Sequence, residues 1–460
     1  MSRLVVASNR VALPDETRAG GLAVALRAAL AEHGGLWFGW SGRIADGVAE
    51  PRYGEHDGIG YLTVDLDRAA HAGYYVGFAN RVLWPLLHDR IDLMDFVQAD
   101  YQVYRDVNRS LARALKPWLR ADDLIWIHDY HLIPLATELR RLGCRQRMGF
   151  FLHTALAPAA LLEYMPGHRE LFGTLADYDV VGVQSAHDLD GLRDYFIRVL
   201  GAHPLRADAD TLQLPDGRAT RMGAFPIGID APPIRQAAQR ARSSAALKRM
   251  RASLGERSLI VGVDRLDYSK GLAERFQSFG QLIEHHVHWR GRVSLLQIAP
   301  TTRGEVPEYR AIRRELERIA GHINGRHADP DWVPIRYVNR AYPHGTLCGY
   351  YRLARVGLVT PLRDGMNLVA KEYLASQDGE DPGVLVLSEF AGAAQQLEMA
   401  LTVNPRDHLA VASALDRALA MPLEARRERW QAAMAVIERH DITAWRRAFL
   451  GQLRNSATER

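Results

Sequence analysis

The sequence predicts an α/β protein made of two doubly wound parallel sheets facing each other across a cleft, and three observations carry that prediction. Short β-branched runs alternate with amphipathic helical stretches from end to end, the pattern of strand–helix–strand units. The alternation breaks in a polar, Gly- and Pro-rich stretch and then restarts. The chain of 460 residues is too long for one ordinary core, so two or three domains are expected.

In the first half, strands are expected at 4–8, 36–40, 124–128, 148–153 and 180–184, with helices at 22–32, 132–142 and 186–200. From 207 to 220 the chain turns polar, and Phe225-Pro226-Ile227-Gly228-Ile229-Asp230-Ala231-Pro232-Pro233 follows. Consecutive Pro and Gly cannot continue a helix, which puts a hinge near residue 230. The second half restarts with strands at 259–263, 293–298, 334–338, 356–360 and 384–388 and helices at 272–284, 307–323, 347–354 and 368–377. A last amphipathic helix over 441–453 carries Trp445 and Phe449 on one side. The expected domains are therefore 1–230 and 231–440, with 441–460 folding back onto the first.

Composition narrows the class. Hydrophobic residues make up 47% and charged residues 24%, the balance of a globular enzyme. The 58 Lys+Arg and 54 Asp+Glu leave +4, too small a surplus to imply nucleic acid or a membrane as partner. Two cysteines, Cys144 and Cys348, form neither a disulfide framework nor a metal-ligand spacing, and both read as small buried residues. The apolar run after Met1 is too short for a signal peptide, and no stretch reaches membrane-spanning length, so a cytoplasmic protein is expected.

Sites in open α/β sheets sit at the carboxyl ends of strands. Ser8-Asn9-Arg10 ends the first strand, and Gly20-Gly21-Leu22 opens the next helix, where backbone N–H groups suit a phosphate. The same Gly-Gly also fits an ordinary turn. It is not a Walker A loop, and its spacing is not that of a dinucleotide fingerprint. Trp126-Ile127-His128-Asp129-Tyr130-His131 gathers titratable groups past another strand, and His153 ends the following one. In the second half, Arg265 and Lys270 lie in one loop of Val263-Asp264-Arg265-Leu266-Asp267-Tyr268-Ser269-Lys270-Gly271, placed to converge on a diphosphate. Arg303 follows the next strand. The segment from Thr360 to Glu372 holds Asp364-Gly365-Met366-Asn367-Leu368, a tight turn opening onto a helix, with Glu372 positioned for a ribose diol. Arg10, Arg265, Lys270 and Arg303 together describe a site for a phosphorylated, hydroxyl-rich substrate that requires no metal. The Asp-x-Asp pairs Asp65/Asp67, Asp177/Asp179 and Asp208/Asp210 read as solvated surface.

On these segments the sequence resembles the trehalose-6-phosphate synthases, retaining glycosyltransferases with two Rossmann-like domains of the GT-B type. Ser8-Asn9-Arg10, Gly20-Gly21-Leu22, Trp37-Phe38-Gly39-Trp40-Ser41-Gly42, Leu83-Trp84-Pro85, Ile127-His128-Asp129-Tyr130-His131-Leu132, Phe151-Leu152-His153, the loop from Arg265 to Gly271 and the stretch Thr360 to Glu372 all match in order. The resemblance implies transfer of glucose from UDP-glucose to glucose 6-phosphate, giving α,α-trehalose 6-phosphate and UDP. It assigns Arg265, Lys270 and the Gly21 N–H to the donor diphosphate and Glu372 to the ribose. The loop of Asp364, Gly365, Met366, Asn367 and Leu368, together with His153, takes the donor sugar. Arg10, Tyr75, Trp84 and Arg303 hold the acceptor, Trp40 lines its pocket, and Asp129 binds its hydroxyls near the reacting centre. Asp129, His153, Arg265, Lys270 and Asp364 form the implied catalytic set.

The resemblance further implies no cofactor, a homodimer or homotetramer, and a separate trehalose-phosphate phosphatase downstream, since no Asp-x-Asp-x-Thr phosphatase segment follows. Two departures flank the expected cleft. Thr154-Ala155-Leu156-Ala157-Pro158 replaces a Pro-Phe-Pro type segment, and only nine residues separate Arg10 from Gly20. They keep open a sister enzyme with another phosphorylated acceptor, either a glucosylglycerol-phosphate synthase or a cyclitol-phosphate pseudo-glycosyltransferase. A non-catalytic sugar-nucleotide sensor is the reading from another class. The nucleotide base is not fixed by side-chain identity.

Overall fold

The computed structural model describes residues 2–14, 21–47, 50–301 and 307–456, with backbone alone at 21–25, 33, 307 and 308. The chain divides into two compact units, one of Met1–Pro226 with Trp445–Arg460 and one of Ile227–Ala444.

The first unit is built on a ten-stranded sheet. Its strands are β1 (Leu4–Arg10), β2 (Gly35–Ala45), β3 (Arg52–His56), β4 (Ile59–Asp67), β5 (Leu124–His128), β6 (Arg147–Phe151), β7 (Val180–Val183), β8 (His203–Leu205), β9 (Asp208–Gln213) and β10 (Ala219–Ala224). They lie in the order β3-β4-β2-β1-β5-β6-β7-β10-β9-β8. The centre is parallel, and antiparallel pairs occur at β3–β4, β10–β9 and β9–β8. The chain winds outward from β1 in both directions, so the order reverses between β1 and β5. That reversal opens a crevice at the carboxyl ends of the strands. The central strands are buried on both faces: every residue of β5 and β7 is buried, as a sheet covered by helices requires.

The second unit has six parallel strands: β11 (Ser258–Val263), β12 (Val293–Ile298), β13 (Ile335–Val338), β14 (Val356–Val359), β15 (Val384–Ser388) and β16 (Leu401–Val403). Their order is β13-β12-β11-β14-β15-β16, with the reversal between β11 and β14. Phe276, Phe279, Leu282 and Ile283 of the helix Leu272–His285 close one side of this sheet with Leu316 and Leu415. Two doubly wound parallel-sheet domains are thus the observed fold class.

Several expectations are corrected. The polar stretch from 207 to 220 is not a plain approach to a hinge; it forms β9 and the start of β10, an antiparallel extension of the sheet. The helix expected at 132–142 starts later, at Leu135, after a short turn over Tyr130–Leu132, with Pro134 at its N-cap, where a missing N–H costs nothing. The Asp-x-Asp pairs are not uniformly solvated. Asp65 is buried and accepts from Ser41 Oγ at 2.5 Å and Arg52 at 2.7 Å. Asp179 is buried against Arg140 and the Met148 N–H, and Asp177 accepts from Thr137. Each of these carboxylates is held by paired donors, since a buried charge persists only when paired. Asp210 is exposed, as expected. Cys144 and Cys348 are both buried thiols.

Candidate active site

In the first unit the expected residues gather at the carboxyl ends of β1, β2, β5 and β6. The register between β1 and β2 shifts between Ser8 and Arg10, and such an irregularity re-aims a strand-end side chain. Ser8 Oγ accepts from Trp37 Nε1 at 2.8 Å, and Asn9 accepts from Tyr74 OH at 2.9 Å, which leaves Arg10 exposed at the strand end. Gly42, at φ +85°, makes room for it: a Cβ there would stand 2.8 Å from Arg10 Nε. Gly21 opens the helix Gly21–His33, and Gly20 lies outside the described residues.

Trp40, almost buried, donates its indole N–H to the Arg43 carbonyl at 2.7 Å, and its ring lies 5.5 Å from both His71 and Tyr75. Tyr75 stacks in turn on His131 at 5.9 Å. Trp84 is 5% exposed against His88 and Tyr130, so it offers only an edge.

Asp129 adopts φ +74°, a left-handed conformation rare for a residue with a side chain. Its carboxylate accepts the His153 N–H at 3.2 Å, tying the end of β5 to the loop after β6. Strain of this kind often accompanies a functional constraint. His153 Nε2 lies 3.0 Å from His128 Nδ1. Burial drives both imidazoles below the ordinary histidine range, His153 to about 3, so both are neutral at physiological pH. The departing segment is fastened at Leu156, whose N–H donates to Asp188 at 3.0 Å.

In the second unit the two loops at the sheet reversal meet. Arg265 is exposed just past β11. Lys270, mostly buried, lies 2.5 Å from Asp364 Oδ2, which also accepts from Asn367 Nδ2 at 3.0 Å. Leu362 N–H donates to the Ser269 carbonyl at 2.8 Å, fixing one loop on the other. Gly271 (φ +61°) and Asn367 (φ +67°) supply the left-handed turns that end each loop and start each helix. Gly392 brings a third loop in: a Cβ there would stand 1.8 Å from the Gly365 carbonyl oxygen. Met366 is buried and accepts the Ala393 N–H at 2.9 Å. Leu368 is the first residue of its helix. Glu372, one turn on, is pushed above the ordinary carboxylate range by burial and partly opposed by His344, 3.9 Å away.

Sequence reasoning missed the groups that hold these loops. Arg275 is 1% exposed and reaches Asp264 at 2.7 Å, Gln297 at 2.8 Å and Thr360 at 3.1 Å, joining the ends of β11, β12 and β14. Burial raises the Asp264 carboxyl, and the Arg275 and Lys270 charges oppose that rise. The available signal was a charged residue on the apolar face of an amphipathic helix. Arg303 lies outside the described residues. Among the described residues, no group of three or more His, Cys, Asp or Glu side chains is placed to hold a metal ion, and no helix is long and apolar enough to cross a membrane.

Two doubly wound sheets, with an Arg/Lys-bearing loop and a helix-opening turn at one reversal, define a glycosyltransferase of the GT-B class. The chain belongs to glycosyltransferase family 20, whose model matches residues 6–455. It is 48% identical to a trehalose-6-phosphate synthase of Sinorhizobium fredii, over 99% of each chain. Among solved structures it is similar to the UDP-forming α,α-trehalose-phosphate synthase of Burkholderia xenovorans in complex with glucose-6-phosphate, at 45% identity and TM-score 0.94, covering 99% of this chain and 100% of that one. A similar match, at 42% identity and TM-score 0.95 with 99% and 100% coverage, is the E. coli trehalose-6-phosphate protein bound with UDP-2-fluoro glucose.

Proposed function

We propose that the chain transfers glucose from UDP-glucose to glucose 6-phosphate with retention, releasing α,α-trehalose 6-phosphate and UDP. The carrying observation is the Lys270–Asp364–Asn367 cluster, in a family whose relatives are solved with glucose-6-phosphate and with a UDP-glucose analogue. The transition state separates an oxocarbenium-like sugar from a departing diphosphate, so the largest demand is positive charge on the leaving oxygens. Arg265 and Lys270 meet it in this reading, with the Gly21 N–H assisting. Glu372 holds the ribose, and the loop from Asp364 to Leu368 with His153 orients the sugar. Arg10, Tyr75, Trp84 and Arg303 take the phosphorylated acceptor, Trp40 lines its pocket, and Asp129 binds its hydroxyls. Residues 1–230 thus serve mainly the acceptor and 231–440 the nucleotide sugar.

Retention is read as a same-face reaction. The C1–O bond to the diphosphate breaks, the acceptor hydroxyl oxygen bonds to C1 on that face, and its proton passes to the departing phosphate oxygen. No carboxylate nucleophile is needed. A glycosyl adduct on Asp129, detected by mass spectrometry of enzyme quenched during turnover, would overturn this. Because side chains carry the countercharge, activity is expected to persist in EDTA.

The test is UDP release across UDP-, ADP- and GDP-glucose with glucose 6-phosphate, glycerol 3-phosphate or no acceptor. Turnover with UDP-glucose only when glucose 6-phosphate is present is the expected result. Turnover with glycerol 3-phosphate instead would mark the sister enzyme. The same reading makes this a cytoplasmic homodimer or homotetramer whose product is consumed by a separate phosphatase.

A further inference from the structure

Lys270 stands among carboxylates, and a buried arginine behind it sets the charge they present. Lys270 Nζ lies 2.5 Å from Asp364 Oδ2. Asp264, buried just past the end of β11, belongs to the same group: burial raises its carboxyl, Arg275 and Lys270 oppose the rise, and Asp364 adds to it. Arg275, on the helix Leu272–His285, donates from Nη1 to Asp264 Oδ2 at 2.7 Å and to Gln297 Oε1 at 2.8 Å. Its Nε donates to Thr360 Oγ1 at 3.1 Å. Gly262 leaves the room, since a Cβ there would stand 2.7 Å from Nη1 and 2.4 Å from Gln297 Oε1. The charges of Arg275, Asp264, Lys270 and Asp364 thus alternate and sum to zero. Gln297 and Thr360 are neutral, and of these three partners only the Asp264 carboxylate calls for a cation. A buried ion pair is a poor source of stability, so the charge itself needs another account.

We propose that Arg275 is a positioning residue for the donor diphosphate and acts through charge: it cancels Asp264, so that this carboxylate neither repels the anionic donor nor draws Lys270 away from it. Without Arg275 one negative charge is left over beside the loop that receives the diphosphate, in a low-dielectric setting where it is felt strongly. This rests on the reading that Lys270 meets the diphosphate.

The test is UDP binding to the full-length protein, read by titration calorimetry at pH 8.5, where a carboxyl beside Lys270 is ionised. Arg275→Met is expected to weaken UDP by about 10-fold or more, the effect of an uncompensated charge near an anionic ligand. Arg275→Met combined with Asp264→Asn restores the charge balance but not the tie between strand ends, and UDP affinity is expected to return close to the wild-type value. A tie that acts only by holding β11, β12 and β14 together makes the opposite forecast, because the double variant lacks it too. UDP binding that stays weak in the double variant, or is unchanged in Arg275→Met, overturns the proposal. If Arg275→Met fails to fold, the double variant decides alone, since replacing both charges of a buried pair is tolerated better than orphaning one. Lys270→Met tests the underlying reading separately. UDP affinity untouched there would overturn that reading and this proposal with it, whereas failure of the Arg275 variants alone leaves the reading standing.

Discussion

At Asp364 one carboxylate oxygen takes two donors, Lys270 at 2.5 Å and Asn367 at 3.0 Å. Lys270 is thus the partner of a mostly buried carboxylate, and the proposed function adds a second job, countercharge for a leaving diphosphate. Lys270→Met is expected to lower kcat/KM by about 100- to 1000-fold and to cost roughly 3 kcal/mol of stability, as removal of one partner of a buried pair does. Adding Asp364→Asn should recover the stability, read by urea unfolding, but not UDP release. Recovery of both would make the lysine structural only. His153 gives a second residue-scale expectation. Its folded pKa lies near 3, below the 6.5 of a free histidine, so between those values the unfolded chain binds more protons than the folded one. Stability must then rise with pH through that window and fall on acidification, by up to about 5 kcal/mol at the low end. Urea midpoints measured from pH 6.5 to 4 are expected to fall less steeply in His153→Gln than in the wild type.

Elements show what the amino-acid pattern could and could not reveal. The buried central strands β1, β5, β7, β11, β12, β14 and β15 announce themselves as apolar β-branched runs, because both faces are covered. β3 could not be read that way, since all five of its residues are exposed, and β9 and the edge strand β8 are short and mostly solvent-facing. The helix Gln98–Leu115 also escaped notice, although its strongly amphipathic face buries Tyr101, Tyr104, Val107 and Leu111. The candidate site was legible where a charged side chain falls at a strand end, as at Arg265, Lys270 and Asp364. Its supports were not, because contacts such as Gly392 against Gly365 are long-range backbone approaches that leave no local motif. Gly392→Ala tests that approach directly. Its Cβ would overlap the Gly365 carbonyl, so the loop from Asp364 to Leu368 must move. KM for UDP-glucose is expected to rise by about 10-fold or more, as a misplaced substrate-positioning group causes. KM for glucose 6-phosphate measured in the same assay should stay close to the wild-type value. An unchanged KM for UDP-glucose would mean that this loop does not position the donor.

At the scale of the whole molecule, the first unit is discontinuous in sequence, since residues 445–460 belong with 1–226. The helix Ile442–Asn455 buries Trp445, Phe449, Leu450 and Leu453. Phe449 stacks on Trp126 of β5 at 4.9 Å and meets Phe151 of β6 edge-on at 5.7 Å. The sheet is shaped to receive it: a Cβ on Gly149 of β6 or Gly182 of β7 would come within 2.7 or 2.8 Å of the Phe449 ring. The space above those glycines is shared by Phe449 with Leu453 over Gly149 and with Phe151 and Phe225 over Gly182. Phe449→Ala is therefore expected to cost about 3–5 kcal/mol, and Gly182→Ala to destabilise by overpacking the same spot. Deleting 445–460 removes the whole cover, and its effect should fall on one unit. Amide protection in β5, β6 and β7 should be lost, while β11, β12, β14 and β15 of the continuous unit 227–444 keep theirs, since cooperative units open separately. Hydrogen exchange read by mass spectrometry on the truncated chain decides it. Equal loss of protection in both units would mean that they unfold as one and that the last helix stabilises the entire chain.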